Sequence, residues 1–298
     1  MQKPVAVFGG TGFLGRAVVA ELVAHGRRVR VAARDPHAAA FTDLPTDAVE
    51  RCAVDIREED AVATAVAGAA AVVNAVSLYV EAGDLDFDTI HVHGAERVAR
   101  LAAAAAVERL VHISGIGVDT LSTSRYVRAR ALGEEAVRAT FPAATVLRPS
   151  VIFGPDDHFL SALDGVTHLP VIPLFGTGRT RLQPVHVGDV ALAVEASLAQ
   201  PGAAGRAFEL GGAEILSYRD ILRAILRHRR RQRMLLPVPF MIWHGIARAS
   251  ALLPNPPITT DQVVLMSADN VVSDAAAGLT GLGITPRALS TQLPACLH

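Results

Sequence analysis

Short apolar runs alternate with longer, alanine-rich amphipathic stretches through the first half of the chain. Segments 5–8, 29–33, 51–55, 71–76, 110–114 and 144–147 are apolar runs of strand length. Between them, 16–25, 58–67, 89–106 and 126–140 carry the three-to-four-residue spacing of helices. Strands alternating with helices of these lengths predict an α/β fold with a parallel sheet covered on both faces. The right-handed crossover rule makes a doubly wound sheet the leading arrangement. Beyond Pro149 the loops lengthen and prolines become frequent. A helix over 188–198, a short strand over 208–210 and a helix capped by Ser217, with Asp220 as its capping partner, are still predicted. The expected organisation is a sheet domain over 1–150 with a smaller C-terminal substrate or partner lobe, 151–298, built onto it.

Composition narrows the chemistry. Of the 28 basic residues only Lys3 is a lysine, so Schiff-base and P-loop lysine chemistry have no candidate beyond the start of the first strand. A formal net charge of −1 argues against a nucleic-acid binder. Cys52 and Cys296 stand far apart without a C-x-x-C spacing, which predicts neither a disulfide framework nor a zinc site and fits a reducing compartment. His91 and His93 are two apart and no H-E-x-x-H occurs, so no metal site is expected. The N-terminus runs straight into a strand, and no signal peptide is expected. The apolar stretch 234–253 is interrupted by Pro237, Pro239, His244 and Arg248, a poor membrane span. A cytoplasmic protein is expected.

The strongest local signal is the run from Gly9 through Gly10, Thr11, Gly12, Phe13 and Leu14 to Gly15, which follows the first strand and opens the first helix. Gly10, Gly12 and Gly15 satisfy G-x-G-x-x-G, and Gly9, Gly12 and Gly15 satisfy G-x-x-G-x-x-G. Glycine is required where a tight turn brings backbone N–H groups against a pyrophosphate with no Cβ in the way. The last glycine lets helix and strand pack closely. At the end of the second strand Arg34 and Asp35 offer opposite preferences. An acid accepts from the ribose 2′-OH of NAD, whereas an arginine pairs with the 2′-phosphate of NADP. Arg34 comes directly off the strand, and Arg16 follows the glycine turn, so NADP(H) is favoured over NAD(H).

These segments resemble the short-chain dehydrogenase/reductase superfamily, in its extended or atypical branch. Asp55-Ile56 resembles the pair that contacts adenine, and Asn74-Ala75-Val76 ends the fourth strand where the superfamily lines the cofactor ribose. Leu147-Arg148-Pro149 through Tyr-like Phe153-Gly154-Pro155 matches the "LRP…YGP" segment, and His186-Val187-Gly188-Asp189-Val190-Ala191 resembles "HVDDVA". His112 to Gly117, Ser124-Arg125-Tyr126 and Asp269-Asn270-Val271-Val272 look like the branch that contains the nucleotide-binding accessory subunit of respiratory complex I and its bacterial relatives. The resemblance covers nearly the whole chain and implies a Rossmann domain, with Pro149 among the cofactor-binding positions.

It also implies a catalytic set. Active members use a tyrosine, a lysine four residues later and an upstream serine. Here Tyr126 and Ser114 match, but Arg130 fills the lysine position. Positions i and i+4 share a helix face, so Tyr126 and Arg130 can meet over the cofactor. A fixed guanidinium can lower the tyrosine pKa but does not relay protons as lysine does. Two readings stay open: an oxidoreductase with a Tyr-x-x-x-Arg site, or a site that binds cofactor without turnover, as the complex I resemblance implies. A sugar-nucleotide epimerase or dehydratase is the alternative enzyme class.

Three further features are weaker. Asp156, Asp157 and His158 form either a substrate-facing loop or an ordinary polar turn, and His186 is expected to pack near the lobe. The basic run 227–233 is either a solvated helix end or, beside the apolar 234–253, a seat for an anionic membrane surface or a partner protein. The substrate is not legible. Partners implied are a small molecule, respiratory complex I or the inner face of a membrane, and no nucleic acid.

Overall fold

The computed structural model describes residues 2–251, 253 and 258–297. The chain opens with β1 (Val5–Phe8), α1 (Phe13–Ala24), β2 (Val29–Ala33), β3 (Val49–Ala53), α2 (Glu59–Val66) and β4 (Ala71–Asn74). A π-helical turn, Asp88–Gly94, then leads into α3 (Ala95–Ala104). β5 (Arg109–Ile113), α4 (Arg125–Thr140) and β6 (Thr145–Pro149) complete the alternation. The remainder comprises β7 (Ile152–Phe153), α5 (His158–Val166), β8 (Val171–Phe175), β9 (Arg181–Leu182), β10 (Val185–His186), α6 (Val187–Ala199), β11 (Ala207–Leu210), β12 (Leu216–Ser217), α7 (Tyr218–His228), β13 (Met234–Val238), α8 (Phe240–Ser250), α9 (Thr260–Leu265) and α10 (Leu289–Cys296).

Seven strands form one parallel sheet in the order β11-β6-β5-β4-β1-β2-β3. Its central strands are buried on both faces, as continuous apolar runs require. One face packs on α1 and α6, with Val18, Leu22, Val190 and Val194 buried together. The other packs on α2 and α3 through Val62, Val66, Val98 and Ala102. This is the doubly wound Rossmann arrangement, and the order reverses between β1 and β4, where such sheets bind ligands. A third cluster, including Phe153, Leu174, Tyr218 and Leu222, forms the core of the smaller lobe. Elements from beyond residue 150 complete the Rossmann layer: α6 and β11, with Leu279 and Leu282 packed in the same core.

The elements differ from the sequence pattern in places with local causes. The helix expected over 89–106 begins as a π-turn, because Thr89 is tied to the Asp86 carboxylate through both its N–H and its hydroxyl, at 2.7 Å each. β3 ends at Ala53, two residues early, where the Asp55 carboxylate accepts the Arg57 N–H at 2.9 Å and turns the chain. Ser217 caps α7 by accepting from the Asp220 N–H at 3.1 Å, but its hydroxyl then donates to the Asp220 carboxylate at 2.6 Å in place of the reciprocal capping bond. The stretch 234–253 divides into β13 and α8, with Leu252 outside the described residues; among those described, no helix is long and apolar enough to cross a membrane.

Candidate active site

The sheet delivers the glycine turn, Arg34, Asp55, Asn74, Ser114 and Pro149 to its C-terminal edge, and α4 carries Tyr126 and Arg130. β1 ends in the glycine turn, where Gly9 adopts φ +75° and approaches Ala75 and Val76 so closely that a Cβ would lie 3.0 Å from the Ala75 carbonyl oxygen. A Cβ on Gly15 would overlap the Gly9 carbonyl oxygen and lie 2.7 Å from the Gly10 Cα. Gly12 is the N-cap of α1 and supplies no side chain to its first turn, which also lacks an acid. The N–H groups at Phe13 and Leu14 therefore remain open to an anion, with Thr11, Gly12 and Phe13 at the surface. A nucleotide pyrophosphate fits this cradle, which any Cβ would fill.

The neighbouring strands supply its flanks. Arg34 leaves β2 exposed, and neither it nor Arg16 has a side-chain partner among the described residues. Asp35 turns back on its own loop, accepting the His37 N–H at 2.9 Å. Asp55 is gripped by Arg57, with contacts of 2.8 and 3.1 Å, and those hydrogen bonds hold its carboxyl below the usual range. Ile56 is buried against Gly94. Asn74 is buried at the end of β4, where its Oδ1 accepts from Val76 and its Nδ2 lies 3.4 Å from the Nδ1 of His112. Pro149, at the end of β6, accepts the Ile116 N–H at 3.1 Å.

Ser114, Tyr126 and Arg130 come together beside this cradle. Ser124 caps α4 by accepting from the Val127 N–H at 3.2 Å, and its hydroxyl donates at 2.5 Å to Asp261 of α9. The same carboxylate lies 3.4 Å from the Tyr126 N–H, so a lobe residue sets the start of the tyrosine helix. The Arg130 guanidinium donates to the Ser77 hydroxyl at 3.0 Å and the Ile113 carbonyl at 3.2 Å. It also sits over the Tyr126 ring, 5.5 Å from the centroid. The ring is enclosed by Tyr79, stacked at 5.8 Å, and by Phe87 and His91, edge-on at 5.5 and 5.6 Å. Gly133 lets α4 approach the π-turn, since a Cβ there would overlap the His91 carbonyl.

The electrostatics are unusual. Arg130 is only 8% exposed, and among the described residues no carboxylate faces it. The two nearby imidazoles are neutral: burial, reinforced by the Arg130 charge, pushes His91 and His112 down to about 3. Burial pushes the Tyr126 phenol up, and the Arg130 charge offsets this only in part. The sequence led to the expectation of a lowered phenol; the aromatic enclosure reverses the sign in the protein alone. The Ser114 hydroxyl is buried and has no hydrogen-bond partner among the described residues. A buried cation over the Tyr126 ring, and a Ser114 hydroxyl left without a partner among the described residues next to the Ile113 carbonyl that this cation bonds, suit an added polar group.

Ser77, Tyr79, His91 and Asp261 line this site but carry no sequence motif, whereas His112 opens the segment 112–117 that resembles the complex I branch. Among the former only Ser77 had a local signal, as the first polar residue after the Asn74-Ala75-Val76 segment. Other candidates are structural. Asp157 is the buried N-cap of α5 and accepts from Leu160 and Gly154 at 2.6 and 3.0 Å. His186 is the N-cap of α6, stacks edge-on with Phe153 at 5.3 Å, and meets Arg287 at 2.9 Å.

The fold and site define an NAD(P)-binding protein of the short-chain dehydrogenase/reductase class. The profile of the NAD dependent epimerase/dehydratase family matches residues 5–211, and the chain belongs to that family. It is similar to the mouse mitochondrial NADH dehydrogenase [ubiquinone] 1 alpha subcomplex subunit 9, at 31% identity over 96% of this chain and 77% of that one. A ceramide reductase of Caulobacter vibrioides is 34% identical over 63% of this chain and 58% of its own length. Among solved structures, an NADPH-dependent quinone oxidoreductase of Escherichia coli in complex with NADPH superposes with a TM-score of 0.78 at 17% identity, covering 97% of this chain and 98% of that one.

Proposed function

We propose that the protein is an NADP(H)-dependent carbonyl reductase whose proton donor is Tyr126. The observation that carries this reading is the buried Arg130 guanidinium, which faces the phenol with no carboxylate among the described residues to neutralise it. Bound NADPH would supply a hydride from C4 of its nicotinamide to the carbonyl carbon, leaving NADP+ and an alkoxide. Gly9 to Gly15 and the α1 N-terminus would hold its pyrophosphate, with Asp55, Ile56, Asn74, Ala75, Val76 and Pro149 along its length. The Ser114 hydroxyl, without a partner among the described residues, would donate to the substrate oxygen. Tyr126 would pass its phenolic proton to that oxygen as the alkoxide forms, giving the alcohol. The tyrosinate left behind would be stabilised by Arg130, a cation that stays protonated and so acts through its charge. Reprotonation from solvent would close the cycle, and the lobe beyond residue 150 would shape the substrate side.

The 2′-phosphate preference rests on Arg34 and Arg16, both exposed and without partners among the described residues, and on Asp35, which is already occupied by its own loop. Titration of NADPH and NADH into wild type and Arg34→Ala tests it. NADPH affinity should fall selectively, and an equal loss for both nucleotides would sink the assignment.

A second reading follows from the relatives: a cytoplasmic subunit that holds NADP(H) without turnover in a respiratory complex. It is favoured by similarity to the mouse subunit along 96% of this chain and by the raised Tyr126 phenol. Co-purification with a respiratory complex, with NADPH bound but not consumed by any carbonyl compound offered, would select it over the reductase.

A further inference from the structure

We infer that α8 and the arginines preceding it form a docking surface for an anionic lipid bilayer. The starting point is that α8 is apolar nearly all round, while the protein covers only one of its faces. Phe240, Trp243, Ala247 and Ser250 recur at the spacing of one helix stripe and point inward. Phe240 lies over Gly176, where a Cβ would come within 2.6 Å of its ring. The Trp243 indole donates to the Leu174 carbonyl at 3.0 Å and packs on Phe175 with ring centres 4.5 Å apart. These contacts fix which face is left over.

The outward face carries Met241, Ile242 and Ile246, which are 81%, 49% and 42% exposed. Gly245 and Ala249 lie between them and bring no polar side chain. Arg248, seven residues after Met241, borders the same face. A helix apolar on both sides belongs in a core or against a membrane, and this one has a core on one side only. Met234 of β13 adds a further exposed apolar side chain nearby in sequence, at 62%.

Charge identifies what covers it. No acid occurs between Asp220 and Asp261, an interval holding seven arginines. Arg229 and Arg231 are paired with Asp164, and Arg223 lies 3.6 Å from Asp220. Arg227, Arg230, Arg233 and Arg248 have no carboxylate partner among the described residues. The apolar face bordered by Arg248, with the unneutralised arginines that precede it in the chain, matches the acyl and phosphate layers of an anionic leaflet. A protein partner would more commonly be met by aromatic anchors, and the single tryptophan of the chain is turned inward here. The inference does not depend on whether Tyr126 supports turnover.

Co-sedimentation of the full chain with vesicles tests it, using phosphatidylcholine alone and phosphatidylcholine mixed with phosphatidylglycerol. The expected result is binding to the anionic vesicles, little to the neutral ones, and release by high salt. Each of Arg227→Ser, Arg230→Ser and Arg233→Ser should weaken binding by about fivefold. Met241→Ser with Ile242→Ser and Ile246→Ser should weaken it by at least about tenfold. Retained Trp243 emission and Tm establish that this triple variant folds; if it does not, Met241→Ser alone, at the most exposed position, serves in its place. Absence of wild-type binding, equal binding to both vesicle types, or variants that bind like wild type would each overturn the inference. A wild-type dimer dispersed by the triple variant, without vesicle binding, would assign the face to a second copy and overturn it as well.

Discussion

The guanidinium carbon of Arg130 lies 5.5 Å from the centre of the Tyr126 ring, one helical turn away on α4. This places a permanent positive charge where the superfamily resemblance puts a lysine, and anchors it to Ser77 and Ile113 and not to an acid. Among the described residues, the cost of burying that charge is offset by neutral acceptors and an aromatic face.

Removing the charge should therefore separate stability from function. Arg130→Met is expected to leave urea-unfolding stability unchanged or to raise it by about 1 kcal/mol, since an unneutralised buried cation is replaced by an isosteric apolar chain. Reduction of a carbonyl substrate should fall by about a hundredfold or more, the scale of losing a positioned acid–base aid. Arg130→Lys should raise turnover instead, because a lysine can both hold charge and exchange a proton. Steady-state kinetics on the three proteins would show it; an Arg130→Lys enzyme no faster than wild type would mean that the arginine is not what limits the site.

The glycine cradle gives a stricter prediction. Gly15→Ala drives a methyl group into the Gly9 carbonyl and the Gly10 Cα. Both atoms are backbone, so relief requires the turn to open. NADPH binding should be lost to titration, with a stability loss of about 1–3 kcal/mol for the overpacking. Gly26→Ala, which has open space around it but φ +74°, should cost stability through backbone strain while NADPH binding survives.

Acid sensitivity should come from His91 and His112. Both are neutral in the folded protein with values near 3, against 6.5 when free. Their pKa values are depressed on folding, so the unfolded chain takes up protons first and stability falls as pH drops below about 6.5. Each site should remove up to about 2 kcal/mol between neutral pH and pH 5, from the slope of 1.4 kcal/mol per unit. Urea melts at the two pH values, repeated on His112→Gln, measure this. If the wild-type loss is no larger than that of the variant, His112 does not titrate as its burial requires.

Gly133 links the π-turn to α4, the helix that carries Tyr126. A Cβ at this position overlaps the His91 carbonyl, so Gly133→Ala should push α4 away from Asp88–Gly94. The expected stability loss is about 1–3 kcal/mol, accompanied by a lower kcat at little-changed NADPH affinity, because the nucleotide cradle is on other strands. An equal loss in both would indicate general unfolding instead.

Much of the fold was legible because its signals are local. The glycine turn, the alternation of runs and the i, i+4 relation of Tyr126 and Arg130 are all encoded within a few residues. The remainder depends on distant partners. β11 joins the sheet beside β6 because Ala207–Leu210 finds the free edge of Thr145–Pro149, and a four-residue strand does not name its neighbour. The π-turn arises from the Asp86–Thr89 bonds within an otherwise helical pattern. The sign of the Tyr126 shift required knowing that Tyr79, Phe87 and His91 enclose the ring. The sequence showed the nearby cation but not the wall around it.

The bond from Ser124 to Asp261 joins residues 137 positions apart and sets the first turn of α4. On a ribosome, all seven sheet strands have been made once Leu210 appears, whereas Asp261 comes some fifty residues later. The nucleotide cradle can thus be assembled while the tyrosine helix still lacks its anchor. The order of synthesis builds in a delay between completing the glycine cradle and fixing the helix that carries Tyr126, and a chain cut short before Asp261 would be left in that interval.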